Sequence, residues 1–362
     1  MRDETFMELA LKLAESAKGQ TSPNPLVGAI VVKDGQVVGM GAHLKAGEPH
    51  AEVHALTMAG DKAKGATIYV TLEPCSHFGK TPPCADLVIE RGIKRAVIAT
   101  TDPNPLVSGK GIQRLKEAGI QVDFGLMKDR ADELNAVFYH FIKTKKPFVT
   151  LKTATSLDGK TATSTGESQW ITSEAARLDV HRYRHEHDAI LVGIGTVLKD
   201  NPSLTTRLPN GGKNPIRIIL DTHLLTPIES NMICDGKAPT WIVTGNEVKP
   251  EAKHPYEEKG ITILSMNKKT IDISDVLKML GKRGITSIFV EGGATVNGSF
   301  LQSGEVDQVI TYVAPLLIGG QNAPTSFSGE GFRELEKALH LKIKSVEQIG
   351  PDIKIISVPE RE

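Results

Sequence analysis

Residues 50–84 carry three side chains that bind soft metal ions: His50 in His50-Ala51-Glu52, and the two cysteines of Glu73-Pro74-Cys75-Ser76-His77-Phe78-Gly79-Lys80-Thr81-Pro82-Pro83-Cys84. A fold that uses them has to bring separated points of the chain to one place. An imidazole and two thiolates make three protein ligands for zinc and leave the fourth tetrahedral position open for water. Zinc lowers the pKa of a water held there to roughly 7. Glu52 sits two positions from His50, close enough to serve as a proton carrier rather than as a ligand. Taken singly, a histidine ahead of a helix is ordinarily a cap or a surface residue, and cysteines are ordinarily small buried hydrophobes. The conjunction is what singles these residues out.

The surrounding pattern predicts where they stand. Ala66-Thr67-Ile68-Tyr69-Val70-Thr71-Leu72 is β-branched and apolar, a buried strand ending just before Glu73. His50 to Gly60 reads as a helix stopped by glycine, with His50 and Glu52 in its first turn. Cys84 to Arg91 reads as a second helix, opened by Pro82-Pro83. A cysteine at a helix N-terminus has its pKa lowered by the backbone dipole. The expectation is three ligands at helix starts, converging at one end of a sheet. His50-Ala51-Glu52-Val53-His54 is not the metalloprotease motif, which needs glutamate directly after the first histidine; His54 is expected to pack or to support.

Histidine, a nearby glutamate and Pro-Cys together match the zinc deaminases of nucleobases, in which the glutamate shuttles protons and ammonia leaves. That signature ordinarily closes with C-x-x-C, whereas here eight residues lie between Cys75 and Cys84. The insertion offers His77 and Lys80 to an anionic group of a substrate. With this spacing and the upstream Asn24-Pro25-Leu26-Val27-Gly28-Ala29, the chain resembles the bifunctional riboflavin biosynthesis deaminase/reductase family. A nucleoside or tRNA deaminase with an unrelated C-terminal domain is the alternative, and it predicts C-x-x-C. A zinc-stabilised binding module would keep the ligands but has no need of Glu52.

A chain of 362 residues exceeds a single core and suggests two domains. Acidic and basic residues balance at 43 each, so a nucleic-acid partner is not expected. Three cysteines, two of them assigned to metal, give no disulfide framework, and Cys234 is expected to be structural. The first residues lack a signal-peptide pattern and no apolar run reaches about 20 residues, so a cytoplasmic, membrane-free protein is expected.

In order, a helix is expected from Glu4 to Lys18, then a hairpin of Val27–Val32 and Gln36–Gly41 turning at Asp34-Gly35. Asn24 and His43 flank it; by themselves they read as turn or surface groups, and the resemblance makes them substrate contacts. After the metal segment come a strand (Arg95–Thr100), a helix (Gly111–Ala118), a strand (Ile120–Phe124) and a last helix (Asp132–Ile142). This is an α/β/α sandwich of cytidine-deaminase-like order. Lys143-Thr144-Lys145-Lys146-Pro147 is the expected linker, dividing residues 1–146 from 147–362.

The second half alternates strands (Phe148–Ala154, Ala189–Val192, Ile216–Leu220, Thr240–Val243, Ile261–Leu264, Ser287–Val290) with helices, notably Ser173–His185 and Ile273–Lys282. That predicts a mainly parallel sheet covered on both faces, closed by a hairpin of Leu341–Gln348 and Asp352–Val358. No G-x-G-x-x-G follows the first strand, which argues against a Rossmann domain. The histidines of His181-Arg182-Tyr183-Arg184-His185-Glu186-His187 read as surface residues.

The family resemblance continues through Leu151-Lys152, Ser156-Leu157-Asp158-Gly159-Lys160, Gln169-Trp170-Ile171-Thr172, Gly193, Gly195-Thr196, Asp200-Asn201-Pro202, Leu204, Arg207 and Val290-Glu291-Gly292-Gly293. It implies a dihydrofolate-reductase-like α/β domain. It implies NADPH contacts at Ala154, Trp170, Thr196, Asp200, Thr222 and the Gly293, Ala294, Thr295, Val296, Asn297, Gly298 and Ser299 corner. It implies substrate contacts at Ser168, Arg184, Leu204, Arg207 and Glu291. Lys152 is expected at the substrate too; no proton donor for the reduction stands out, and Lys152 and Glu291 are the candidates. One Zn2+ per chain, a pyrimidine ribose phosphate substrate and a homo-oligomer complete the expectation. The implied chemistry is hydrolytic deamination of 2,5-diamino-6-ribosylamino-4(3H)-pyrimidinone 5′-phosphate, then NADPH-dependent reduction of the ribosyl group.

Overall fold

The structure, a computed structural model, describes residues 2–76, 82–103 and 108–361. It divides between Lys145 and Lys146 into two compact units. In unit 1 the elements are α1 (Asp3–Glu15), β1 (Gly28–Lys33), β2 (Gln36–Ala42), α2 (Ala51–Ala59), β3 (Thr67–Val70), α3 (Cys84–Glu90), β4 (Arg95–Ile98), α4 (Lys110–Glu117), β5 (Gln121–Phe124), α5 (Lys128–Leu134) and α6 (Ala136–Thr144). The five strands lie in the order β2-β1-β3-β4-β5, antiparallel at β1 and parallel from β3 to β5. Alternate residues of each strand face opposite layers. Ala29, Val31, Ile68, Val70, Ala96 and Ile98 pack under α2, α3 and α4, while Ile30, Tyr69 and Val97 pack under α1 and α5. Asp34 and Gly35 both take positive φ, the backbone a two-residue Asp-Gly hairpin turn requires.

The single helix expected over Asp132–Ile142 is two helices, α5 and α6, broken at Asn135. Asn135 leaves helical geometry (φ −102°, ψ 18°), and its side chain is engaged elsewhere. The expected linker begins within α6, whose last residues are Lys143 and Thr144 and which Lys145 closes in a left-handed conformation (φ 57°).

Unit 2 contains β6 (Phe148–Ser156), α7 (Glu174–Glu186), β7 (Ala189–Gly193), α8 (Ile194–Asp200), β8 (Ile216–Leu220), α9 (Asn231–Cys234), β9 (Thr240–Thr244), α10 (Pro250–Glu258), β10 (Thr262–Ser265), α11 (Ile273–Gly281), β11 (Ser287–Gly292), α12 (Ala294–Ser303), β12 (Gln308–Ala314), β13 (Leu341–Ile349) and β14 (Asp352–Pro359). Nine strands form one sheet, β10-β9-β8-β7-β11-β6-β12-β14-β13, parallel from β10 to β12 and antiparallel in the terminal hairpin. One face packs on α11 and α12, the other on α7 and α9. Strand β12 is absent from the sequence reading, although Val309-Ile310-Thr311-Tyr312-Val313 is β-branched with alternate residues buried. Cys234, expected to be structural, is exposed at the end of α9.

Arg217 in β8 is the largest fully buried side chain. Its Nε donates to Thr240 Oγ1 (3.0 Å), Nη1 to both Asp235 oxygens (2.8 Å each) and to Ser203 O (3.2 Å), and Nη2 to the carbonyls of Met232 (2.8 Å) and Ala238 (2.7 Å). Removing one partner of a buried pair leaves the other charge uncompensated, at a cost of about 3–5 kcal/mol. Arg217→Met is expected to destabilise unit 2 by about 3 kcal/mol or more. The check is the denaturant midpoint of the unit 2 transition, read by Trp170 and Trp241 fluorescence.

Candidate functional sites

In unit 1 the C-terminal ends of β3 and β4 and the start of β1 open toward one point. His50 is the N-cap of α2 and Cys84 the first residue of α3, but Cys75 lies in the loop after β3 rather than at a helix start. The expectation of three ligands at helix starts is therefore corrected: two are, and Glu73 supplies the anchor for the third. Glu73 is buried, and its Oε1 accepts from the N–H groups of Gly111 (2.8 Å) and Ile112 (3.2 Å) while Oε2 accepts from Gly109 (2.9 Å). A carboxylate at the N-terminus of α4 is electrostatically favoured. The approach is close: a Cβ on Gly111 would stand 2.1 Å from Pro74 O. Chain geometry on both sides of Pro74 thus fixes where Cys75 points.

The ligand atoms of His50, Cys75 and Cys84 all lie within 4.8 Å of one another. His50 Nδ1 is 3.3 Å from Cys84 Sγ and 3.7 Å from Cys75 Sγ, and the Cys84 N–H donates to Cys75 Sγ at 3.2 Å. The thiols are not joined in a disulfide. One nitrogen and two sulfurs converging this tightly is a donor set suited to zinc. Cys75 is held down to about 4, chiefly by the hydrogen bond from the Cys84 side chain and then by His50. Cys84 is pushed up by sharing that proton and by burial. Thiols in such a pair ionise together when a cation takes the proton's place.

Glu52 is 3% exposed, and its Oε2 is enclosed with no hydrogen-bond partner among the described residues. Burial pushes its carboxyl up to about 7. Beside it, His43 lies edge-on to the His50 ring, with centroids 5.3 Å apart. His43 Nδ1 faces the Pro49 carbonyl (3.2 Å), which can only accept, so Nδ1 carries the hydrogen. Nε2 of the neutral ring is then a lone pair, and Asn24 Nδ2 donates to it at 3.1 Å. Burial holds His43 below its ordinary value, in keeping with that neutral form. The flip of the Asn24 amide is thereby set, with Oδ1 left as an acceptor. His54, one turn beyond His50, packs its Cβ side toward Gly41. His77 and Lys80 lie outside the described residues.

In unit 2 a cleft of about 1650 Å³ runs along the C-terminal ends of the parallel strands. Of the expected cofactor contacts, Ala154, Trp170, Thr196, Asp200 and Thr222 line it, as do Gly293, Ala294, Thr295, Val296, Asn297 and Ser299. Gly298 is not part of this lining: a Cβ there would meet Ser328 O at 1.8 Å, so the position requires glycine for the close approach of the Ser328 backbone. Gly293 takes φ 89° and starts α12, whose N-terminal N–H groups open toward the cleft and suit an anion. Lys152, Ser168, Arg184, Leu204, Arg207 and Glu291 line the same cleft.

Arg184, on the buried side of α7, pairs with Glu291 through two hydrogen bonds, Nε–Oε1 at 2.5 Å and Nη2–Oε2 at 3.0 Å, and its Nη1 donates to Thr205 O at 3.0 Å. Lys152 Nζ stands 3.9 Å from Glu291 Oε2. Burial opposes ionisation of Glu291, but Arg184 and Lys152 together hold its carboxyl below the ordinary value. Burial pushes the Lys152 ammonium down. Arg207 donates to Thr205 Oγ1 at 3.2 Å and is less enclosed than Arg184.

The α7 histidines are not uniformly superficial. His181 is buried at the cleft wall and pushed down to about 4 by burial and by Arg184 and Arg207. His187 is buried between Tyr183 O (2.7 Å) and Thr150 Oγ1 (2.9 Å). Dense charge masked α7's inward face; spacing of His181 and Arg184 at i, i+3 was the signal that they share it.

The Ser156-Leu157-Asp158-Gly159-Lys160 turn ties the cleft's outer wall. Asp158 accepts from Ser156 Oγ (2.6 Å), Ile318 N (3.1 Å) and Gly319 N (2.7 Å), and Thr161 N donates to Pro324 O at 2.9 Å.

Two family models match the chain: the cytidine and deoxycytidylate deaminase zinc-binding region over residues 1–100 and the RibD C-terminal domain over residues 147–355. The riboflavin biosynthesis protein RibD of Bacillus amyloliquefaciens is 56% identical, covering 99% of this chain and 96% of the relative. RibD of Escherichia coli K12 is 44% identical, covering 98% of each. Among solved structures, Acinetobacter baumannii RibD superposes with a TM-score of 0.89 at 40% identity, covering 99% of both chains. A Thermotoga maritima diaminohydroxyphosphoribosylaminopyrimidine deaminase/5-amino-6-(5-phosphoribosylamino)uracil reductase does so at 0.88 and 38%, covering 99% of this chain and 98% of that one.

Asp158 gives unit 2 a pH signature. Hydrogen bonding, first from Ser156, holds its carboxyl down to about 2 from an ordinary 3.8. A group whose pKa falls on folding stabilises the fold above its unfolded value and loses that contribution as pH drops through the folded value. Stability of unit 2 is therefore expected to fall between pH 4 and pH 2 more steeply in the native chain than in Asp158→Asn. Denaturant midpoints at the two pH values measure this, and parallel slopes would remove the latch.

Proposed function

We propose a division of labour that starts from one premise: the chain belongs to the RibD family of riboflavin biosynthesis proteins and is a bifunctional deaminase and reductase. Unit 1 takes the 2-amino group from 2,5-diamino-6-ribosylamino-4(3H)-pyrimidinone 5′-phosphate. Unit 2 reduces the product, 5-amino-6-(5-phosphoribosylamino)uracil, to its ribityl form.

In unit 1, His50 Nδ1 and the Cys75 and Cys84 sulfurs would hold one Zn2+. Bound there, zinc supplies a water of lowered pKa at neutral pH. Glu52 would do the proton work: its enclosed Oε2 takes one proton from water to the ring nitrogen, then moves a second, from the hydroxyl now on the carbon, to the amino group that departs as ammonia. A carboxyl raised to about 7 can both accept and release that proton near neutrality. Asn24 presents Oδ1 to a substrate N–H, with His43 fixing the amide. His77 and Lys80 are proposed to meet the substrate phosphate. The observation that carries this reading is three soft donors converging beside a carboxylate oxygen that no other described group engages.

In unit 2 the cleft exceeds the roughly 300–1,000 Å³ of a single-ligand pocket, which suits a dinucleotide and a sugar phosphate side by side. NADPH would lie along Ala154, Trp170, Thr196, Asp200 and Thr222, with its phosphates at the start of α12. It supplies the hydride, and the chain supplies placement and charge. Ser168 and Leu204 border the substrate. Arg207, with fewer internal bonds than Arg184, is the better phosphate partner, while Arg184 holds Glu291 in place. Of the two candidates for the proton that accompanies hydride transfer, Lys152 is the better donor, because burial lowers the pKa of its ammonium, while Glu291, held ionised by Arg184 and Lys152, would orient it.

The protein is proposed to act on small molecules in the cytoplasm. Among the described residues no helix is long and apolar enough to cross a membrane. Self-association is part of the same reading: edge strand β13 exposes Ile343 and Val346, 59% and 60% accessible.

Glu52→Gln is expected to retain zinc, lose deamination by about 10²–10⁴-fold, and still oxidise NADPH when given the deaminated intermediate. Loss of metal from that variant would make Glu52 a ligand and overturn its role. Arg207→Ala is expected to raise the reductase KM for the phosphorylated substrate by about tenfold to a hundredfold, with NADPH affinity unchanged; an unaltered KM would sink the phosphate assignment.

A further inference from the structure

Asn135 stands at the N-cap of α6, where an asparagine ordinarily turns its side chain onto the N–H groups of its own helix. Here no such bond forms. Instead its Oδ1 accepts from Leu26 N at 2.8 Å and its Nδ2 donates to Leu26 O at 2.9 Å. The amide thus mimics a neighbouring strand for one residue, 109 positions away in sequence, and it is only 2% exposed. Breaking α5 from α6 is the local cost of that arrangement.

Leu26 is two residues from Asn24, within Pro23-Asn24-Pro25-Leu26. Proline fixes φ at Pro25, and a following proline also restricts Asn24. Orientation imposed at Leu26 is therefore carried stiffly to Asn24 instead of being absorbed by backbone rotation. On the other sides the segment is held by Asn24 N donating to Thr21 O (2.8 Å) and by His43 N donating to Val27 O (2.9 Å). Neither bond fixes Leu26 itself.

We propose that Asn135 is a positioning residue of the deaminase site, acting through the Leu26 backbone and Pro25 to hold Asn24 where its Oδ1 meets the substrate. The inference rests on the reading of Asn24 as a substrate contact. Asn135 touches neither the substrate nor the residues that converge for metal. Its loss misplaces a recognition group without disturbing the centre that performs the hydrolysis.

The experiment is a double-variant cycle in the full-length, zinc-loaded protein: Asn24→Ala, Asn135→Ala and the pair, assayed with the diaminopyrimidinone phosphate by product mass. Asn135→Ala is expected to raise the deaminase KM by about tenfold, the equivalent of one well-made hydrogen bond. One zinc per chain, kcat within about twofold and unchanged reductase activity are expected alongside. Because the two residues act in series, the double variant is expected to be no worse than Asn24→Ala alone. Asn135→Asp, which keeps the acceptor for Leu26 N but loses the donor, is expected to fall between native and Asn135→Ala.

If KM effects multiply in the double variant, or Asn135→Ala leaves KM unchanged while Asn24→Ala raises it, the coupling is wrong. Loss of zinc or of fold in both Asn135 variants would make the residue structural and overturn the proposal. If Asn24→Ala itself leaves KM unchanged, the substrate-contact reading of Asn24 fails first and the inference falls with it.

Discussion

Burying a carboxylate is expensive unless hydrogen bonds or a cation compensate it, and three glutamates, the buried Glu73, the half-buried Glu291 and the buried Glu52, show how the two units meet that constraint. Glu73 is surrounded by backbone N–H groups at the head of α4. Glu291 is forked by Arg184 and approached by Lys152. Glu52 keeps one oxygen enclosed and without a hydrogen-bond partner among the described residues. The first two are satisfied and rigid, and they lock a loop and a cleft floor into place. The third carries the cost in its pKa, which burial raises to about 7. A carboxylate left in that condition is poised to exchange a proton, and the surrounding fold has to be stiff enough to keep it so.

That stiffness comes from polar groups drawn across long sequence distances. Asn135 spans to Leu26, Glu73 to the start of α4, Arg217 to the Ser203 carbonyl, and Asp158 to the backbone at Ile318 and Gly319. Each replaces a solvent contact with a bond to a loop that borders a site. Ser203 precedes Leu204, which takes a left-handed φ of 50° unusual for a leucine and lines the reductase cleft. Loops with few apolar contacts thus owe their shape to buried polar side chains behind them, and the catalytic groups in front inherit it.

The two sites differ in what they ask of the chain. A metal centre needs a handful of donors at short range, and the three that converge here come from one stretch, residues 50–84, closed around a single strand. The cleft proposed for reduction would have to hold two extended molecules, and its lining comes from the ends of β6, β7, β8 and β11 and the heads of α8 and α12. Parallel strands deliver those ends to one edge of the sheet, and the helices that cover them present N–H groups there.

Read as a string, the chain fixes much of this. Donor types and spacing at His50, Cys75 and Cys84, with Glu52 close by, suit zinc chemistry, and period-two and helical patterns place most strands and both apolar faces. Strand β12 could have been found from its own β-branched run. What the string could not show is which polar residues turn inward. His181 and Arg184 lie in a charged helix that looks solvated until β11 brings Glu291 against it. Asn135 looks like mid-helix until Leu26 arrives beside it, and Gly298 looks like part of a phosphate loop until Ser328 covers it. Local pattern reports a residue's propensity, whereas burial of Arg184 and of the Asn135 amide is decided by partners 107 and 109 positions away, which only the folded chain supplies.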